Sequence, residues 1–64
     1  MTFEEMTKYG NVQVEFNGYV VYIEILNARL VRVTIAKAEI DQWGFNFRKG
    51  NDFLEIAKII KEVV

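Results

Sequence analysis

The sequence predicts an α+β domain: an antiparallel β-meander of three or four strands, a C-terminal helix packed on one face and a short N-terminal helix. Three observations carry this reading. Asn17-Gly18 stands between two runs that alternate in polarity, and Asn-Gly in that setting marks a two-residue hairpin turn, because both central positions need positive φ. A third alternating run begins near Leu30. From Phe53 onward, apolar residues recur at the helical period instead of the strand period. At 64 residues the chain makes one domain, residues 1–64, since single cores usually need roughly 50 to 200 residues.

The opening MTFEEMTKYG reads as a short helix. Thr2 and Glu5 have capping-box spacing, Gly10 suits the left-handed position past the last turn, and Phe3, Met6 and Tyr9 would form a narrow apolar stripe. Isolated helices this short are marginal, so a frayed terminus is the other reading. With a two-residue loop at Asn17-Gly18, Phe16 faces Tyr19, Val14 faces Val21 and Val12 faces Ile23. All six then share one side of the hairpin; Gln13, Glu15, Val20 and Tyr22 take the other.

A three-residue loop, Asn27-Ala28-Arg29, brings Ile25 to Val31, Ile23 to Val33, Val21 to Ile35 and Glu24 to Arg32. A two-residue loop would press Arg32 against Ile23 on the core side, because a one-residue slip moves every side chain to the opposite face. Residues 36–43 admit two readings. AKAEIDQW holds good helix formers and stops at Gly44. Alternatively the strand continues and returns through Asp41-Gln42, so that Trp43, Phe45 and Phe47 alternate along a fourth strand. RKGN is a loop. In the last helix, Asp52 and Glu55 have capping-box spacing, and Phe53, Ile56, Ala57, Ile60, Val63 and Val64 follow the apolar period. Lys58 and Glu62 form an i,i+4 pair on its wet side. Ile56, Ile60 and Val63 are expected in the core.

Composition limits the chemistry. Cysteine and histidine are absent, as is serine, which removes Ser and Cys nucleophiles, imidazole bases, disulfides and thiolate metal sites. Glu4 and Glu5 lie where a helix's first turn favours negative charge, and Glu39 with Asp41 reads as a solvated turn. Gly44 and Gly50 do not have phosphate-loop spacing. The chain is therefore expected not to be an enzyme, with no cofactor, no metal and no small-molecule ligand. Its longest apolar run, from Tyr19 to Ile23, stops at Glu24, far short of the roughly 18 residues of a membrane span. With no signal-peptide pattern at the N-terminus, a cytoplasmic protein is expected.

A domain this small buries only about 60% of its unfolded surface and needs a supplement to its core. Its 52% hydrophobic composition points to self-association or burial against a partner. Charge is unevenly placed: residues 1–28 carry a net −3, residues 29–49 a net +3 and the tail −1.

Two functional readings follow. The second side of the sheet carries Val20, Tyr22, Leu26, Leu30 and Ala36 among Gln13, Glu15, Glu24, Arg32 and Thr34. That side is too apolar to be purely wet and too polar to be a second core, a mixture found at recognition interfaces. Val20, Tyr22, Leu26, Leu30 and Arg32 are its candidate interface residues, unless Phe3, Met6 and Tyr9 fold back over them. This reading expects a non-catalytic protein–protein interaction module, a homodimer and/or the binder of a protein partner, in the manner of small regulators, inhibitors and virus- or phage-type accessory proteins. The alternative is sequence-nonspecific single-stranded nucleic-acid binding. Trp43, Phe45 and Phe47 alternate on one strand and are followed by Arg48 and Lys49, and aromatic platforms in a positive groove hold single strands by stacking. In layout alone the chain resembles the small coactivator-type single-strand binders, a resemblance that implies a dimer built from a curved sheet followed by one helix. Against this stands a sequence pI near 5.3, whereas phosphate-binding domains usually exceed about 9.

Overall fold

A computed structural model describes residues 1–38 and 41–63, the side chain of Val63 excepted. Its elements are α1 (Phe3–Met6), β1 (Val12–Phe16), β2 (Tyr19–Ile25), β3 (Leu30–Lys37), β4 (Asp41–Arg48) and α2 (Glu55–Val63). The strands form one antiparallel sheet in the order β1-β2-β3-β4, so the fold is the α+β meander with two helices. No helix among the described residues is long and apolar enough to cross a membrane.

The turns set the register. Asn17 (φ 51°) and Gly18 (φ 81°) take the two positive-φ positions of the first hairpin. Phe16 therefore pairs with Tyr19, Val14 with Val21 and Val12 with Ile23. Beyond β2, the Leu26 N–H donates to the Leu30 carbonyl at 3.0 Å. The Asn27 side chain closes the three-residue loop by accepting from the Arg29 and Leu30 N–H groups at 2.8 and 3.0 Å. Ile25–Val31, Ile23–Val33, Val21–Ile35 and Glu24–Arg32 follow as expected.

Residues 36–43 resolve to strand up to Lys37 and again from Asp41, which pair with each other. The expected return through Asp41-Gln42 is corrected: both residues lie inside β4, and the connection begins one residue past Lys37, where Ala38 adopts φ 60°. Trp43, Phe45 and Phe47 then stand beside Ile35, Val33 and Val31.

Both helices pack on the same face. Phe3, Ile56 and Ile60 join Tyr19, Val21, Ile23, Val31, Val33 and Ile35 in one buried cluster, flanked by half-buried Phe16, Trp43, Phe45, Phe47 and Phe53. The Phe3 ring lies 5.2 Å from that of Phe47 and 6.2 Å from that of Phe53, and Phe53 meets Phe16 edge-on at 5.1 Å. Such tilted and T-shaped contacts add about 0.5–1.5 kcal/mol each beyond the area they bury.

The N-terminus is held by long-range backbone bonds. Thr2 bridges to Asp52, and the N–H groups of Phe3, Glu4 and Phe53 donate to the carbonyls of Asn51, Lys49 and Met1 at 3.1, 2.8 and 2.8 Å. The Thr2–Glu5 capping box forms, its Thr2 N–H and hydroxyl both donating to the Glu5 carboxylate at 3.1 Å. These bonds hold the Glu5 carboxyl below its ordinary pKa. Helix α1 nevertheless ends at Met6, and the Thr7 hydroxyl donates to the Phe3 carbonyl at 2.7 Å. Tyr9 therefore misses the expected apolar stripe and is 94% exposed.

The second expected capping box does not form. Asp52 accepts from the Leu54 N–H at 2.7 Å and pairs with the Met1 amine at 3.3 Å; these contacts, the Leu54 bond first, lower its pKa. The Glu55 carboxylate accepts instead from the Asn51 side-chain amide at 3.3 Å. Tight i→i−3 bonds from Glu55, Ile56 and Ala57 lead into α2, so Phe53 precedes the helix and packs from the turn. Ile56 and Ile60 are buried as expected; the expectations for the Val63 and Val64 side chains lie outside the described residues.

Four substitutions test this arrangement. A Cβ at Gly18 meets no atom within 4 Å, so Gly18→Val acts through the backbone alone. It is expected to cost about 1 kcal/mol or more and to lower Tm by about 4–8 °C per kcal/mol in a thermal melt, with Gly18→Asn milder. For the core, Ile56→Ala is expected to destabilise by about 2–5 kcal/mol in denaturant unfolding. Leu54→Ala, at a position 61% exposed, should stay within about 0.5 kcal/mol of wild type.

Candidate functional site

Side chains alternate across a strand, so the register that buries one face also specifies the other. On the face turned away from the helices, Glu15, Val20, Ala36 and Gln42 form one cross-strand row. Gln13, Tyr22, Thr34 and Gly44 form the next, and Glu24, Arg32 and Asn46 the third. Leu30 with Arg48, and Leu26 bonded to Leu30 through its backbone, make the last.

All five candidate interface residues lie on this face. Tyr22 and Leu26 are 37% and 39% exposed, Val20 and Leu30 are half-buried, and Arg32 is exposed. Phe3 sits in the cluster on the opposite face, so the expected alternative, in which it folds back over Tyr22, is corrected. The reason is the backbone clasp to residues 49–53, which carries α1 to the side where α2 packs.

Charge divides the face. Glu15 and Glu24 stand on β1 and β2, Arg32 and Arg48 on β3 and β4. Glu24 and Arg32 are Cα partners, yet Met1–Asp52 is the only ion pair among the described residues. Beside Tyr22, at the end of β1, lies a depression of about 310 Å³ lined by Asn11, Val12, Gln13, Tyr22, Ile23 and Glu24, of which Gln13, Tyr22 and Glu24 belong to the open face. There β1 stops short, and the Asn11 side chain continues the ladder by accepting from the Ile25 N–H at 2.8 Å. At the Leu30 end a larger cleft of about 530 Å³ brings Arg29, Arg48 and Lys49 together with Glu4. Sequence reasoning missed this basic cleft. Its signal was the β3–β4 register carried one step beyond Leu30–Arg48, where the Lys49 N–H donates to the Arg29 carbonyl at 2.9 Å.

The residues of the nucleic-acid reading are not brought together. Trp43, Phe45 and Phe47 are half-buried against the core cluster on the helix-covered face, while Arg48 points to the open face with Arg32 and Lys49 turns into the loop cleft. Lys37 is on the aromatic side, with its ammonium 5.4 Å from the Tyr19 ring. Among the carboxylates, Glu4 and Glu5 occupy the first turn of α1. Asp41 is exposed at the start of β4, and Glu39 lies outside the described residues.

Compared with known proteins, the chain matches no family model, no curated protein and no solved structure.

Trp43 is half-buried against the core and packs near the Tyr19 ring, with centroids 6.4 Å apart, which reduces the surface it offers to a stacking base. Titrating a single-stranded oligonucleotide at low salt is expected to leave Trp43 fluorescence unchanged at high micromolar protein. Quenching that weakens steeply with salt would restore the stacking reading.

Proposed function

We propose that this chain is a non-catalytic protein–protein interaction module whose interface is the open face of the sheet, working as a small homodimeric regulator or inhibitor. The observation that carries the reading is that both helices pack on one face and leave Val20, Tyr22, Leu26 and Leu30 uncovered on the other. An apolar centre holding a tyrosine, with arginine and carboxylates around it, has the make-up of a recognition surface. The chain's lack of histidine, cysteine and serine is consistent with binding instead of nucleophilic chemistry. The comparison with accessory proteins of viruses and phages is analogy alone.

Tyr22→Glu tests it. Wild type is expected to be a dimer at micromolar concentration, with a Tm that rises with concentration because association is linked to folding by mass action. The substitution sets a charge among the apolar residues near Glu15 and Glu24, adding repulsion to desolvation. A folded monomer by sedimentation and circular dichroism is the expected result. A Tyr22→Glu protein that dimerises like wild type would remove the open face from the interface.

A further inference from the structure

The rows of the open face decide how a second copy would sit on it, and the following inference rests on the reading of that face as an interface. A two-fold axis parallel to the strands, lying between two facing sheets and passing between β2 and β3, exchanges β1 with β4 and β2 with β3. It has no translation along the strands, so each row lands on itself, reversed. Every β2–β3 cross-strand pair of one copy thereby becomes a facing pair between copies. Glu24 meets the second copy's Arg32, Val20 its Ala36, Leu26 its Leu30, and Tyr22 its Thr34.

The acidic half of one sheet thus lies on the basic half of the other, twice by symmetry. An axis across the strands does not achieve this. It lays each strand on its own copy, acidic β1 and β2 on acidic β1 and β2, and leaves Glu24 and Arg32 without opposite charges. Charge complementarity selects the first arrangement.

The surface relief agrees with that choice. The arrangement brings each Arg32 above β2 of the second copy, where the depression of about 310 Å³ lies beside Tyr22 and Glu24. A guanidinium there meets a carboxylate and the tyrosine ring together, which suits its planar, cation–π-forming geometry. Within one copy Arg32 makes no ion pair with Glu24, so both remain available. Beside the Thr34 that Tyr22 meets, the second copy's row ends at Gly44, which adds no side chain next to the ring.

We propose that two copies of this chain pack sheet to sheet about this axis, with each Arg32 seated in the other's Tyr22–Glu24 depression. Sheets packed in this way align within about 30° at a separation of about 10 Å. Four strands at about 4.8 Å spacing and about six residues of each at 3.4 Å give roughly 400 Å² of projected face. That is about half the per-partner area of a standard interface, in the size class of weak and transient associations.

Charge reversal with mixing is the test, using the whole 64-residue chain. Glu24→Arg and Arg32→Glu, each alone, place like charges together twice per dimer, and each is expected to weaken self-association on the order of tenfold or more in sedimentation velocity. Circular dichroism and thermal melting confirm that each variant is folded. An equimolar mixture of the two is then expected to regain wild-type dimerisation as a heterodimer. One variant brings arginine at both positions and the other glutamate at both, so each of the two contacts again joins opposite charges. The double variant E24R/R32E should dimerise like wild type. Loss that mixing does not repair would show that the charges act within one copy, overturning the arrangement. A dimer indifferent to both reversals would overturn it too; if that dimer still dissociates with Tyr22→Glu, the face reading survives and only the axis is wrong. A wild-type monomer at every concentration would end both.

Discussion

A four-stranded sheet has two faces, and the side chains that 64 residues supply seal only one of them. The seal depends on Phe3. Its ring is fully buried between those of Phe47 and Phe53, so residues from the two ends of the chain close over the same strands. Because the N-terminal segment is committed there, nothing else among the described residues reaches the far side. The exposed Tyr22 and Leu26 are a consequence of that commitment.

The clasp between residues 1–4 and 49–53 is the backbone counterpart of this packing. It satisfies N–H groups that a four-residue helix would otherwise leave without partners, which is how so short a helix persists. It also explains the helix start at Glu55. The Asp52 carboxylate accepts from the Leu54 N–H and pairs with the terminal amine, while Glu55 accepts from Asn51, so the reciprocal box that their spacing suggested does not form. The chain turns through tight i→i−3 bonds instead.

What could be read in advance follows from range. The hairpin register, the three-residue loop at Asn27 and the burial of Ile56 and Ile60 are set by neighbours in sequence or by strict periodicity, and they were legible. The clasp joins residues about fifty positions apart, and no local pattern announces it. The turn after Lys37 was misplaced because Ala38 holds a positive φ that its side chain does not favour. The splitting of the aromatic and basic residues is different, since the information was present. Phe47 and Arg48 are consecutive in β4, and consecutive strand residues point to opposite faces. Adjacency in sequence suggested one surface where parity required two.

A meander lays chain order out as order in space, so Glu15 and Glu24 fall on the β1–β2 half of the open face and Arg32 and Arg48 on the β3–β4 half. That conversion gives the open face its direction. A face of uniform charge would repel its copy in every orientation, and a wholly apolar one would stack in any. A face acidic on one side and basic on the other accepts its copy only when reversed, and a reversal about a two-fold axis closes at two. Closure matters because β1 and β4 are edges with free backbone groups, where sheets tend to add strands. Strand β1 is short, with outward Gln13 and Glu15, and its ladder is extended by the Asn11 side chain instead of another backbone pair. In the proposed pair, the blunted β1 edge and the self-limiting face would direct association to a discrete dimer and away from an open-ended sheet.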